Sequence, residues 1–295
     1  MEKLIRNRYF YFIKIIITLI ILYFIFRKID FQVLFHSFCQ IKVSVIIVML
    51  ITTAIKIYIE YKNWGHYLAI NPDYKPKPSE IFKSHMIGHS LNLLIPGGIG
   101  VMGKVFFIEN SKTNTFISIG VEKFFQVWIN LLFASFAAIF YFRSKFILPT
   151  ILAFILIIFL PFIICLLKHF DKKNNFAVYF KQYWKIIPRI FVMQILYMFI
   201  TIFQYFILLN NFISFHFFSA VVSIPLILIS NLIPITYAGL GLREKFAIEV
   251  FSKYTISAEI AVTVTLTIFL FNSVLPAIVG MVLLLRKKKS IKIET

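Results

Sequence analysis

The chain has 295 residues, 60% of them hydrophobic, with a mean hydropathy of +0.87 and a formal net charge of +19. That much apolar material excludes an ordinary soluble domain and reads as an integral membrane protein. The basic excess does not point to nucleic acid, because the charges gather in short loops and at both ends, where they orient membrane spans and meet anionic lipid headgroups.

Lys3, Arg6 and Arg8 precede an apolar run to Phe26. The run is bulky and no small-residue cleavage site follows, so it reads as a retained first span over about 10–26 rather than a removed leader. A second span covers about 43–59, with Lys56 and Glu60 one helical turn apart near its far end, the spacing of an interfacial ion pair. Residues 60–80 hold Asn71-Pro72-Asp73 and Lys75-Pro76-Lys77-Pro78, a polar loop. A helix of about 79–95 then stops at Pro96 and is followed by a polar break over 96–104. Spans are expected over about 116–142 and 146–167, then a basic loop over 168–189 in which Tyr183 and Trp184 suit a headgroup belt. A span over about 190–210, a helix of about 217–233 containing Pro225, a second break from Pro234 to Lys245, and a last span over about 258–285 complete the membrane part. Arg286-Lys287-Lys288-Lys289 closes it. Cys39 and Cys165 form no CxxC or metal spacing and read as small apolar fillers.

The two breaks repeat one idea. Asn92-Leu93 precedes Pro96, and Asn231-Leu232 precedes Pro234. Gly98-x-Gly100 and Gly239-x-Gly241 follow, with Gly97 beside the first. Lys104 and Lys245 each stand four residues after the second glycine. Backbone broken at membrane depth survives only where protein or water satisfies its polar groups, and a matched pair of such segments points to a transporter site. With the N-terminus, the 168–189 loop and the basic tail in the cytoplasm, the count closes at six full spans plus two re-entrant helical hairpins entering from opposite faces. Each half, about 1–143 and 144–295, then reads span, span, dip, span, which makes an inverted repeat. Arg27 with Lys28, and Arg143 with Lys145, fall outside in this arrangement, against the usual trend.

The expected architecture is therefore a single all-α, polytopic helical bundle in the inner (cytoplasmic) membrane with both termini cytoplasmic. Unpaired amides and a positive dipole end at each break suit an anionic headgroup, to which Lys104, Arg243 and Lys245 add charge. Asn92 and Asn231 can bond freed backbone groups. Glu122-Lys123 and Arg243-Glu244-Lys245 mix signs within a turn and read equally as neutralising pairs or as substrate contacts. His85 and His89 share a helical face, but two imidazoles alone fall short of a metal site, and polar cavity lining is the reading they favour. No Ser-His-Asp set, Walker loop, HExxH motif or dinucleotide fingerprint is present, so neither catalysis nor a cofactor is expected. An intramembrane transferase would have only Glu122, Glu244, His85 and His89 to work with.

The stretches Asn92-Leu93-Leu94-Ile95-Pro96-Gly97-Gly98-Ile99-Gly100, Glu122-Lys123, Ile233-Pro234-Ile235-Thr236-Tyr237-Ala238-Gly239-Leu240-Gly241-Leu242-Arg243-Glu244 and Pro276 to Gly280 resemble the lysylphosphatidylglycerol synthase transmembrane (flippase-like) family. The likeness runs over about 10–285, and Pro96, Gly97, Gly100, Glu122, Pro234, Gly239, Gly241, Arg243 and Glu244 match its pattern, with Lys104 near the place of a family Arg. The sequence departs at Gly98, at Val101-Met102-Gly103, where the family has an acidic residue, and at Phe269 to Asn272, where it has a basic one. The resemblance implies movement of lipids across the bilayer, here an anionic phospholipid or a lipid-linked polyprenyl-phosphate intermediate. It also implies the alternative of a non-catalytic membrane partner to a lipid-linked glycosyltransferase or another envelope-synthesis enzyme, docked through the basic loops. The sequence holds no soluble transferase segment, so lysyl transfer by this chain is not expected.

Overall fold

The computed structural model describes residues 31–71, 73–142, 146–161, 177–233 and 239–291. Among them there is no strand. The helices are α1 (Phe31–Cys39), α2 (Val43–Leu68), α3 (Pro78–Leu94), α4 (Lys112–Tyr141), α5 (Ile147–Ile158), α6 (Ala177–Asn210), α7 (Phe217–Leu228), α8 (Leu242–Ser252), α9 (Ala258–Phe269) and α10 (Leu275–Ile291). A 3₁₀ helix (Pro96–Phe107) follows α3, a shorter one (Ile229–Leu232) follows α7, and a π-helical turn (Leu270–Val274) joins α9 to α10.

Among the described residues four stretches are long and apolar enough to cross a membrane: Val43–Leu68, Lys112–Tyr141, Gln182–Asn210 and Ala258–Leu285. Each has 26 or more residues, which at about 1.5 Å per residue exceeds a hydrocarbon layer of ~30 Å. No more than 33% of the apolar window in any of them is buried. The remainder faces outward in helical stripes: Ile47, Ile51, Ile55 and Tyr58 on α2, Leu148, Leu152 and Leu156 on α5, and Val192, Leu196, Phe199 and Phe203 on α6. Such stripes are costly in water and comfortable in lipid.

The expected first span, 10–26, lies outside the described residues, as do 162–176 and therefore the end of the 146–167 span and the start of the basic loop. Two boundaries differ from expectation. The second span does not end near residue 59 but continues to Leu68, and α6 begins at Ala177, inside the stretch read as a basic loop. Charged and aromatic side chains at a membrane surface do not break a helix, because they snorkel or pack. Trp64, Tyr67 and Leu68 are fully buried, and Tyr183 packs in the core instead of lying in a headgroup belt. Pro188 sits inside α6 without ending it.

Two apolar clusters hold the bundle, one toward each end. The first gathers Val45 and Met49 from the start of α2, Ala137 from the end of α4, and Leu208 and Leu209 from the end of α6, with Ala220 and Ile224 of α7, Ala247 and Phe251 of α8, and Ala261 of α9. The second gathers Trp64, Tyr67 and Leu68 from the end of α2, Ile119 and Phe125 from the first half of α4, and Tyr183 and Ile190 from the first half of α6, with Ile81 of α3 and Val101, Val105 and Ile108 around the long 3₁₀ helix. Each broken unit thus starts and finishes in one cluster, and the two units occupy different clusters. The backbones of α3 and α10 pass in direct contact: a Cβ on Gly280 would collide with the Met86 carbonyl, and the Ser90 hydroxyl donates to the Ala277 carbonyl at 2.5 Å.

Candidate functional site

The first break is not open backbone. α3 ends at Leu94, its cap residue Ile95 is extended (φ −109°, ψ 113°) as a residue before proline prefers, and the chain recoils as a 3₁₀ helix of 12 residues against α3. Gly100 and Gly103 allow the return, because a Cβ at Gly100 would strike the Leu91 backbone and one at Gly103 the Leu91 side chain. A 3₁₀ helix bonds i to i+3, so the amides beyond its first turn are spent on this coil. Pro96, Gly97 and Gly98 form its first turn. Lys104 extends across Gly88, where a Cβ would come within 2.6 Å of Lys104 Cε. Its Nζ lies 2.9 Å from both carboxylate oxygens of Glu122 and 4.3 Å from the centre of the Trp64 ring. Trp64 is fixed in turn by donating its indole N–H to Ser84 Oγ at 2.9 Å. Lys104 is 3% exposed and Glu122 5%.

Pro234 and the residues to 238 lie outside the described residues. Gly239 (φ 77°) and Gly241 (φ 83°) are left-handed, which glycine adopts at no steric cost. Glu244, in the first turn of α8, accepts the Gly241 N–H at 2.6 Å through one oxygen and Arg243 Nε and Nη2 at 3.2 and 2.9 Å through the other. The Arg243 guanidinium lies 5.1 Å from the Phe269 ring centre. The amide and the charge expected to be free are therefore both engaged by Glu244, while Lys245 is exposed.

Between the two breaks and the two apolar clusters lies a cavity of about 500 Å³. Of the residues expected from sequence, Asn92, Lys104, Glu122, Lys123, Asn231 and Arg243 line it. Gly239 backs Asn231, with a Cβ there reaching 3.1 Å from its Oδ1, and Glu244 orients Arg243 from behind. Gly100, Gly241 and Lys245 do not line it.

The wall holds His85 and His89 of α3, in keeping with their reading as polar cavity lining, together with groups that did not stand out or read as interfacial: Lys56 and Glu60 of α2, Gln194, Tyr197 and Thr201 of α6, and Asn272 of the π turn. Lys56 and Glu60 are not an interfacial ion pair, because the helix runs on past them and Lys56 is 4% exposed. Lys56 Nζ donates to Gln204 Oε1 at 3.4 Å and sits 4.4 Å from the Tyr197 ring centre. Gln204 also takes the Asn272 amide at 2.8 Å and donates to Thr52 and Thr53 at 3.0 and 3.2 Å. Lys123 does not pair with neighbouring Glu122 but donates to Gln126 Oε1 at 3.0 Å, since adjacent residues of a helix point about 100° apart. The signal for these groups was a polar stripe at three- and four-residue spacing inside apolar spans, Thr52, Lys56 and Glu60 on α2 and Gln194, Tyr197, Thr201 and Gln204 on α6.

The lining is cationic. Lys56, Lys104, Lys123 and Arg243 face Glu60 and Glu122. Lys104 and Arg243 have carboxylate partners; among the described residues Lys56 and Lys123 have none within ion-pair distance. Among the described residues, Asn92 Oδ1, His85 Nδ1 and the Tyr205 hydroxyl are buried at this wall without a hydrogen-bond partner. Lys56, Gln126, Tyr197 and Asn272 all fall near the middle of the long apolar stretches.

Outward apolar stripes around a polar mid-bundle cavity define a multi-pass helical membrane protein with a site at depth. The chain belongs to the family described as the lysylphosphatidylglycerol synthase TM region, whose sequence profile matches residues 11–280. No curated protein and no solved structure matches it.

Proposed function

We propose that this protein moves the headgroup of an anionic lipid, a phospholipid or a lipid-linked polyprenyl-phosphate intermediate, across the bilayer by way of the mid-bundle cavity, without covalent chemistry. The observation that carries this reading is the pair Lys56 and Lys123, two lysines at the wall bonded to amide oxygens and with no carboxylate within ion-pair distance among the described residues. A cation withdrawn from water is costly unless an anion accompanies it, and a phosphate in the cavity would supply one to both. A volume of about 500 Å³ suits a headgroup and leaves the acyl chains against the apolar outer faces. Asn92 Oδ1 and the Tyr205 hydroxyl offer further contacts.

Membership of this family agrees with a flippase-like role. The separate clusters that anchor the two broken units support hairpins dipping from opposite faces and halves related as an inverted repeat, and the basic residues at both ends favour cytoplasmic termini. On this reading the Lys104–Glu122 and Arg243–Glu244 pairs are the rigid brackets of the site rather than its anion hooks.

Native mass spectrometry of the purified protein tests the reading. Wild type is expected to retain anionic lipid in preference to zwitterionic lipid, and Lys56→Gln with Lys123→Gln to lose that preference. Equal retention of both lipid classes by wild type, or a preference unchanged in the double variant, would overturn it.

A further inference from the structure

One cluster at the cavity wall is not used by this reading. His85 Nε2 and His89 Nε2 lie 3.2 Å apart, His89 Nε2 lies 3.3 Å from a Glu60 carboxylate oxygen, and His85 Nε2 lies 3.5 Å from the same oxygen. The imidazoles stand one turn apart on α3 with their rings at 86°, and α2 supplies the carboxylate. Each imidazole can donate an Nε2–H to the one Glu60 oxygen, which leaves the 3.2 Å approach of the two ring nitrogens unbonded. A metal ion accounts for all three edges. Zinc with tetrahedral bonds of about 2.0–2.1 Å holds its ligand atoms roughly 3.3–3.4 Å apart.

We propose that Glu60, His85 and His89 form a zinc-class divalent metal site whose remaining position opens into the cavity. Two imidazoles and one carboxylate suit zinc and exclude magnesium and calcium, which take oxygen ligands. All three residues face the cavity, so a phosphate oxygen can complete the tetrahedron. That last step rests on the proposed function; the three-ligand site does not.

The test uses full-length, tag-free protein in detergent, stripped with a chelator and titrated with Co²⁺ as a visible probe. Wild type is expected to take up a single equivalent with the intense d–d bands of tetrahedral cobalt, bleached by stoichiometric Zn²⁺. Glu60→Gln and His89→Gln should each weaken binding about tenfold or more, with circular dichroism and thermal melting confirming that they fold. Absence of a saturable single-equivalent spectrum in wild type overturns the site whatever the variants do, and so does binding that both folded variants retain. Lys56→Gln separates the two proposals: it should keep the cobalt spectrum while losing anionic lipid. A wild type that shows the spectrum but no preference for anionic lipid overturns the transport reading and leaves the metal site standing.

Discussion

Two kinds of lysine meet at the cavity, and their removal should have opposite consequences for stability. Lys104 is buried against Glu122, so Lys104→Met leaves an uncompensated carboxylate in the membrane interior and should cost about 3–5 kcal/mol. Thermal melting in detergent would check this, and adding Glu122→Leu should recover most of the loss, because replacing both partners of a buried pair with apolar groups is near neutral. Lys56 has no carboxylate within ion-pair distance among the described residues, so Lys56→Gln should lower the melting temperature far less than Lys104→Met does while impairing lipid binding. The residues of this site were partly legible in the sequence. Lys104, Glu122, Arg243 and Glu244 stood out, but their pairing did not: Glu122 takes the cation 18 positions away and ignores Lys123 beside it. Lys56 and Glu60 were visible as charges and misplaced at an interface, because the helix carrying them was cut short at residue 59.

The breaks depend on glycine for contact as much as for conformation. Gly280 lets α10 run backbone to backbone along α3, the helix that carries His85, Gly88 and Asn92. Gly280→Ala should destabilise by about 1–3 kcal/mol as an overpacked contact, read again by thermal melting. A Cβ at Gly88 would press on the stem of Lys104, so Gly88→Ala should loosen the Lys104–Glu122 pair without touching either charge. Proline and glycine announced both interruptions in the sequence. Their form was not legible: a 3₁₀ helix of 12 residues depends on packing against α3, and the π turn that places Asn272 on the cavity has no local signal. π turns of this sort recur at functional positions.

For the molecule as a whole, the two apolar clusters with polar groups between them carry the topology. Residue 73 precedes the first broken unit and residue 214 the second, and both are exposed. In a background with Cys39 and Cys165 replaced, an impermeant maleimide added to intact cells should label Ser214→Cys and spare Asp73→Cys, with the pattern reversed in inverted vesicles. Labelling of both from one side would remove the opposed-hairpin arrangement. Fold class and membrane character were readable from hydropathy alone; the cavity was not, because it is assembled from α2, α3, α4, α6 and the α9–α10 junction, which meet only in three dimensions.

The most direct test is lipid movement in reconstituted vesicles, following labelled phospholipids that differ only in headgroup charge. Wild type should move the anionic lipid faster than the zwitterionic one, and Lys56→Gln with Lys123→Gln should slow it about tenfold or more, since each lost charge-assisted contact is worth roughly 1.5–3 kcal/mol. Equal rates for the two headgroups, or a rate unchanged in the double variant, would contradict the account.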